Sequence, residues 1–277
     1  MGGSSEISAQ AARARLALVT GASAGIGEAF ARAYAARGMD LALVARRAER
    51  LEVLADELRA AHGVEVLVIP ADLSVWEAHL PVLEAVAKAG RHVDVLVNNA
   101  GFGVPQTFTG APWERHRDFL MTLVVNACGL AHGVIPGMTE RGWGRIVNIA
   151  SLAAFAPGAA GYTLYPAAKS VAVKFSQALD AELRDRGVKV TAVCPGFTQT
   201  EFAKASGTQH LMDQAPRRFW QTPEAVAAET IDANEAGKVV LVPGWHNKLV
   251  AGLMQTLPDS LLSALIRVGG AKYRVED

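Results

Sequence analysis

Leu16-Ala17-Leu18-Val19 is a short apolar run that leads into Thr20-Gly21-Ala22-Ser23-Ala24-Gly25-Ile26-Gly27, and Glu28 to Arg37 then turns helical before Gly38. An apolar run bounded by a turn reads as a buried strand. Strand, glycine turn and helix in that order restrict the chain to few architectures, and they suggest a dinucleotide site. Glycines permit the tight turn, let backbone N–H groups approach a pyrophosphate and aim a helix N-terminus at its charge. The spacing is G-x-x-x-G-x-G rather than the commoner G-x-G-x-x-G, so a glycine turn with no ligand stays open.

The same alternation continues along the chain. Further strands are expected at Leu41–Val44, Val64–Ile69, Val93–Val97, Arg145–Ala150 and Val188–Val193. Helices are expected over Ala48–Ala61, from near Ser74, over Trp113 to about Gly137, and from about Thr163 to Arg186. With no linker or composition shift, the chain reads as α/β: one Rossmann-type, doubly wound parallel sheet with helices on both faces.

Composition narrows the function classes. Lys+Arg and Asp+Glu both number 27, and no basic run marks a nucleic-acid partner. An apolar share of 51% against a charged share of 19% excludes a disordered chain. Cys128 and Cys194 sit in apolar contexts and read as free thiols of a reducing compartment, and the seven His residues form no metal cluster. No signal core and no membrane span are expected, which places the protein in the cytoplasm.

Several residues carry chemistry by their position. In Tyr165-Pro166-Ala167-Ala168-Lys169, a Tyr and a Lys four apart share one helix face, and an ammonium beside a phenol favours the phenolate. Pro166 is tolerated in a first helical turn. The pair alone could equally be a solvated surface pair. An acid after the second strand would hold the ribose hydroxyls of NAD, but Ala45-Arg46-Arg47 stands there. Arg46 suits the 2′-phosphate of NADP(H), while Arg47 reads as decoration of the following helix. Asp72 could accept from an adenine amino group or cap a helix starting near Ser74. Asn98-Asn99 follows a strand at its carboxyl end, where open α/β sheets bind ligands. Asn126, in mid-helix, has either a local packing role or marks an interrupted helix that opens a carbonyl to water.

Thr20-Gly21-x-x-x-Gly25-x-Gly27, Asn98-Asn99-Ala100-Gly101, Ser151, Tyr165-x-x-x-Lys169 and Pro195-Gly196 occur in order after the expected strands. Over residues 14–245 the chain closely resembles the classical short-chain dehydrogenases/reductases. The resemblance implies Tyr165 as general acid and base, Lys169 as its activator and a ribose ligand, Ser151 on the substrate oxygen, and Asn126 on a water route to Lys169. It places Gly21, Ser23, Gly25, Ile26, Gly27, Asp72, Leu73, Asn98, Ala100, Gly101, Pro195, Gly196, Thr198 and Thr200 around the cofactor, with Arg46 on the 2′-phosphate. NADP(H) is expected over NAD(H), and a homodimer or homotetramer is expected.

Fourteen positions separate Ser151 from Tyr165, one more than the family pattern, so the loop through Pro157-Gly158-Ala159-Ala160-Gly161 is expected to bulge. Ala24 stands where many NADP-preferring members carry a basic residue. A substrate lid is expected over 197–222, with Phe202, Leu211, Met212, Phe219 and Trp220 facing an apolar ketone or alcohol or packing the lid down. Residues 1–13 read as a flexible segment and 246–277 as an amphipathic extension. Its two short helices carry Leu249, Leu253, Leu257 and then Leu261, Leu262, Leu265, Ile266. They cover the subunit's own core or an interface, a shallow membrane contact being the lesser reading. A carbonyl reductase leads. An NAD(H)-dependent hydroxysteroid-type dehydrogenase and a non-catalytic cofactor-binding regulator are the alternatives.

Overall fold

The computed structural model describes residues 14–158, 163–206, 219–258 and 260–263. The flexible segment expected over 1–13 lies outside these residues, as do Ala159, Ala160 and Gly161 of the expected bulge. The same holds for Leu211, Met212, Leu265 and Ile266.

Seven strands, β1 (Leu16–Thr20), β2 (Asp40–Ala45), β3 (Val66–Pro70), β4 (Val95–Asn98), β5 (Gly144–Ile149), β6 (Val188–Val193) and β7 (Val240–Leu241), form one parallel sheet. Its order is β3-β2-β1-β4-β5-β6-β7. The chain builds outward from β1 to β3, then crosses back to lay β4 on the other side of β1. That reversal leaves a crevice beyond the carboxyl ends of β1 and β4, where such sheets receive ligands. The two-residue β7 was too short to show as an apolar run in the sequence.

Both sheet faces are covered, which is why β1 and β4 are buried along their whole length. On one face, α1 (Gly25–Ala35), α2 (Ala48–His62) and α8 (Pro223–Glu235) bring Phe30, Leu51 and Ile231 against Val19, Leu43 and Val97. On the other, α3 (His79–Lys88), α5 (Asn126–Glu140) and α6 (Leu164–Leu183) bring Val82, Leu130 and Leu179 against Leu18, Leu96 and Ile146. The short α7 (Phe202–Ala205) and α9 (Trp245–Thr256) flank the carboxyl edge.

Two expectations change. The helix expected near Ser74 starts at His79 instead. The Asp72 carboxylate accepts from both the Ser74 N–H, at 3.0 Å, and the Ser74 hydroxyl, at 2.8 Å, and so holds a turn. Glu77 follows with φ 54°, which prevents a helix from starting earlier.

The second change concerns Trp113–Glu140, a continuous helical run of 28 residues with mean hydropathy 1.6. It has the length and apolarity to cross a membrane, and residues 119–139 carry no Asp, Glu, Lys or Arg, contrary to the expectation that no such run exists. Here it lies along the sheet, with Leu130, Ala131, Val134 and Met138 in the core. It has three parts: α4 (Trp113–Leu120), a π-helical turn over Met121–Val125, and α5. The interruption considered at Asn126 is real, and it ends at that residue.

Candidate active site

The glycine turn is shaped by close approach. Gly21 has φ +66°, and a Cβ there would come within 2.7 Å of Asn99 Nδ2. Gly25 has φ +60°, and its missing side chain leaves room for Thr200, whose Cγ2 would be 2.9 Å away. Ala24, extended at φ −171°, gives α1 no side-chain cap, so the first N–H groups of that helix face the crevice end of β1. A cradle that any Cβ would fill, beside an uncapped helix N-terminus, fits a pyrophosphate.

Asn99 and Thr20 hold this turn. Asn99 Nδ2 donates to Thr20 O at 2.9 Å and to Gly21 O at 3.3 Å. Thr20 Oγ1 accepts from the N–H groups of Asn99, at 2.9 Å, and Ala100, at 3.0 Å, and donates to Val97 O. Its neighbour Asn98 points inward, donating to Ala127 O at 3.1 Å and Asn148 Oδ1 at 2.9 Å. Asn98 Oδ1 is buried with no protein partner.

α6 carries Tyr165 and Lys169 against the end of β5. Lys169 Nζ donates to Ile149 O at 2.8 Å and lies 5.7 Å from the Tyr165 ring centroid. Burial pulls the Lys169 ammonium down to about 8, partly countered by Cys194. Burial in turn pushes the Cys194 thiol up to about 12, so it stays protonated. Ser151 sits two residues beyond Ile149, and its Oγ accepts from Ala153 N–H at 3.2 Å, capping a 3-10 turn over Leu152–Phe155. Leu152 N–H donates to Pro195 O at 3.0 Å, which ties this turn to the end of β6.

Asn126 is wholly buried, and its amide is spent on structure. It donates to Leu73 O at 2.9 Å and Val75 O at 2.8 Å, and accepts from His79 N–H at 3.0 Å. His79 Nδ1 also lies 2.8 Å from Asn126 Oδ1. The side chain therefore clamps α5 to the segment after β3, leaving only the main chain near the π-turn for a water route. A cavity of about 30 Å³ lies behind Lys169, lined by Asn98, Thr122, Cys128 and Asn148. It has room for about one water molecule.

Three aromatic side chains enclose Tyr165 or its neighbours. Phe119 and Phe202 lie 6.5 and 6.1 Å from its ring, and Phe102 packs edge-on against Phe119. With Val104, Ala111 and Leu164 they form an apolar wall. The first residues of the expected lid are well placed: Thr198 Oγ1 donates to Gly196 O, Thr200 Oγ1 accepts from Phe202 N–H, and Gly103 N–H donates to Ser206 Oγ. Phe197 stacks on Trp220 at 5.8 Å.

Comparison with known proteins agrees with this geometry. The family model for short chain dehydrogenases matches residues 15–211. The chain belongs to the short-chain dehydrogenase family. It is 34% identical over 260 residues to an uncharacterised oxidoreductase of Myxococcus xanthus, covering 91% of this chain and 96% of the relative. A short-chain dehydrogenase of Sphingobium yanoikuyae, solved in complex with NADPH, superposes with a TM-score of 0.76 at 30% identity, covering 89% of this chain and 97% of that one. A bulky-bulky ketone specific alcohol dehydrogenase of Comamonas testosteroni gives 0.73 at 27% identity, covering 95% of each chain.

Against this short-chain dehydrogenase frame, the sequence reading missed three contributors. Thr20 and Asn99 orient the glycine turn, and the Asn98-Asn99-Ala100-Gly101 motif was the signal for Asn99. Arg47, read as decoration, reaches the turn: its Nη2 donates to Ser23 Oγ at 3.0 Å and its Nη1 meets Glu201 at 3.2 Å. Arg46 is exposed at the same strand end. Asp72 takes its turn role through one carboxylate oxygen, as described above. Leu73, Ile26, Pro195 and Gly196 are packing residues of the crevice floor: Leu73 and Ile26 lie in or against the two cores, Pro195 is buried, and Gly196 makes room for Asn247.

Proposed function

We propose that this chain is an NADP(H)-dependent reductase of bulky apolar ketones, or the reverse secondary-alcohol dehydrogenase. The observation that carries the reading is Tyr165, set in an aromatic wall with buried Lys169 Nζ 5.7 Å from its ring. The NADPH-bound relative and the arginines after β2 support the cofactor choice. The likeness to a bulky-ketone alcohol dehydrogenase supports the substrate class.

Gly21, Gly25, Gly27 and the α1 N-terminus would hold the pyrophosphate, Arg46 and Arg47 the 2′-phosphate, and Lys169 the nicotinamide ribose. A bound nicotinamide supplies or accepts the hydride at the carbonyl carbon. Tyr165 hands its phenolic proton to the substrate oxygen in reduction and takes it back in oxidation, while Ser151 Oγ orients that oxygen. Lys169 remains largely cationic at neutral pH, since it titrates near 8, and its charge eases proton release from Tyr165. The small cavity behind Lys169 gives the proton a route to replace the one Tyr165 gives up. Phe102, Phe119 and Phe202 select an apolar substrate by excluding water from the reacting carbonyl.

The decisive experiment is a panel of bulky and small ketones read by NADPH absorbance. Bulky apolar ketones should turn over, and Tyr165→Phe should abolish turnover while NADPH binding survives. No Tyr165-dependent turnover across the panel would overturn the reading. The free thiols Cys128 and Cys194 support a cytoplasmic setting, and exposed Trp245, Leu249 and Leu253 on α9 support a homo-oligomer.

A further inference from the structure

Glu201, the second residue of the expected lid to reach back over the crevice, is held by two arginines from the far side. Its Oε2 lies 3.2 Å from Arg47 Nη1 and 2.8 Å from Arg50 Nη1. Arg47 simultaneously donates to Ser23 Oγ in the glycine turn. Two guanidinium groups and a hydroxyl around one anion are the donor set that recognises a phosphate monoester. Nearby Arg32 is already paired with Glu28 and Glu57, at 2.8 and 2.7 Å, so Arg47 and Arg50 are the donors left for a newcomer.

We propose that Glu201 sets cofactor discrimination: its carboxylate stands in for the 2′-phosphate on Arg47 and Arg50, and yields them when NADP(H) binds. This rests on the NADP(H) reading above. The exchange is feasible because the pairs are weak. Arg47, Arg50 and Glu201 are each about half exposed, at 47%, 49% and 51%. Exposed pairs contribute only a fraction of a kcal/mol, whereas a dianionic phosphate brings more charge and more acceptors to the same fork. Both arginines hold the Glu201 carboxyl below its usual range, so it competes as an anion at neutral pH. The position of Glu201 makes the exchange consequential. Thr200 before it touches Gly25, and Phe202 after it packs on Tyr165. Release of Glu201 therefore loosens a peptide that contacts both the pyrophosphate cradle and the reacting end.

The test is calorimetric titration of the full chain with NADPH and with NADH, for the natural protein, Glu201→Gln and Arg47→Ala. Removing the internal competitor should tighten NADPH roughly threefold or more, at unchanged NADH affinity. Arg47→Ala should weaken NADPH alone. If Arg47→Ala acts selectively on NADPH but Glu201→Gln leaves the NADPH-to-NADH ratio unchanged, the stand-in role falls and the NADP(H) reading stands. If Arg47→Ala has no selective effect, both fall.

Discussion

Lys169 Nζ donates a 2.8 Å hydrogen bond to the carbonyl of Ile149, two residues before Ser151. One bond thus locks the helix carrying Tyr165 onto the strand that delivers Ser151. It also holds an ammonium in a fully buried place, and that has a measurable cost.

The cost should appear in the pH dependence of stability. Lys169 loses its proton near pH 8 in the folded protein but near 10.5 when unfolded. Between those values the unfolded chain binds more protons, so stability rises with pH. Relative to Lys169→Met, the cofactor-free protein should gain roughly 2 kcal/mol between pH 8 and 9.5. Urea unfolding at the two pH values checks this, and parallel curves for both proteins would refute it.

Asn126 should behave as a clamp. Asn126→Ala strands the carbonyls of Leu73 and Val75 and the N–H of His79 in a buried place, which should cost about 3 kcal/mol. His79→Ala removes only one side-chain partner and should cost less. Denaturant midpoints of the two variants give the comparison; equal losses would show that the His79 ring, not the Asn126 amide, carries the junction.

Gly25 and Thr200 should be coupled. Gly25→Ala places a methyl within 2.9 Å of Thr200 Cγ2, at φ +60°. It should weaken cofactor binding strongly, and adding Thr200→Ser should restore part of the loss. The backbone penalty of about 1 kcal/mol for a left-handed alanine would persist. Additive losses in a double-mutant cycle would disprove the contact.

The aromatic wall should set substrate size. Phe119→Ala should raise KM for bulky ketones severalfold while leaving NADPH affinity unchanged, because Phe119 meets Tyr165 and Phe102 rather than the glycine turn. Steady-state kinetics beside a binding titration separates the two effects.

The sheet was legible in the sequence because its strands are buried on both faces and so appear as continuous apolar runs such as Leu16–Val19 and Val188–Val193. β7 was not, since two residues carry no periodicity. The order of the motifs fixed where the site lies, for each motif follows a strand whose carboxyl end faces the crevice. What the order could not convey was which neighbour each polar side chain chooses. Asn126 turned its amide toward His79 and Leu73, and Arg47 reached Ser23 and Glu201, contacts spanning 24 to 154 positions. The helix start moved from Ser74 to His79 because Asp72 satisfied Ser74 locally instead of opening a helix.

The π-helical turn at Met121–Val125 holds one residue more than a regular turn would need. Deleting a single residue there would restore regular geometry and rotate everything after it by about 100°. Asn126 would swing out of its slot and Leu130, Val134 and Met138 would leave the sheet together. Through this stretch the number of residues is a tighter requirement than their identity, and insertions or deletions should be tolerated in the flanking loops but not here.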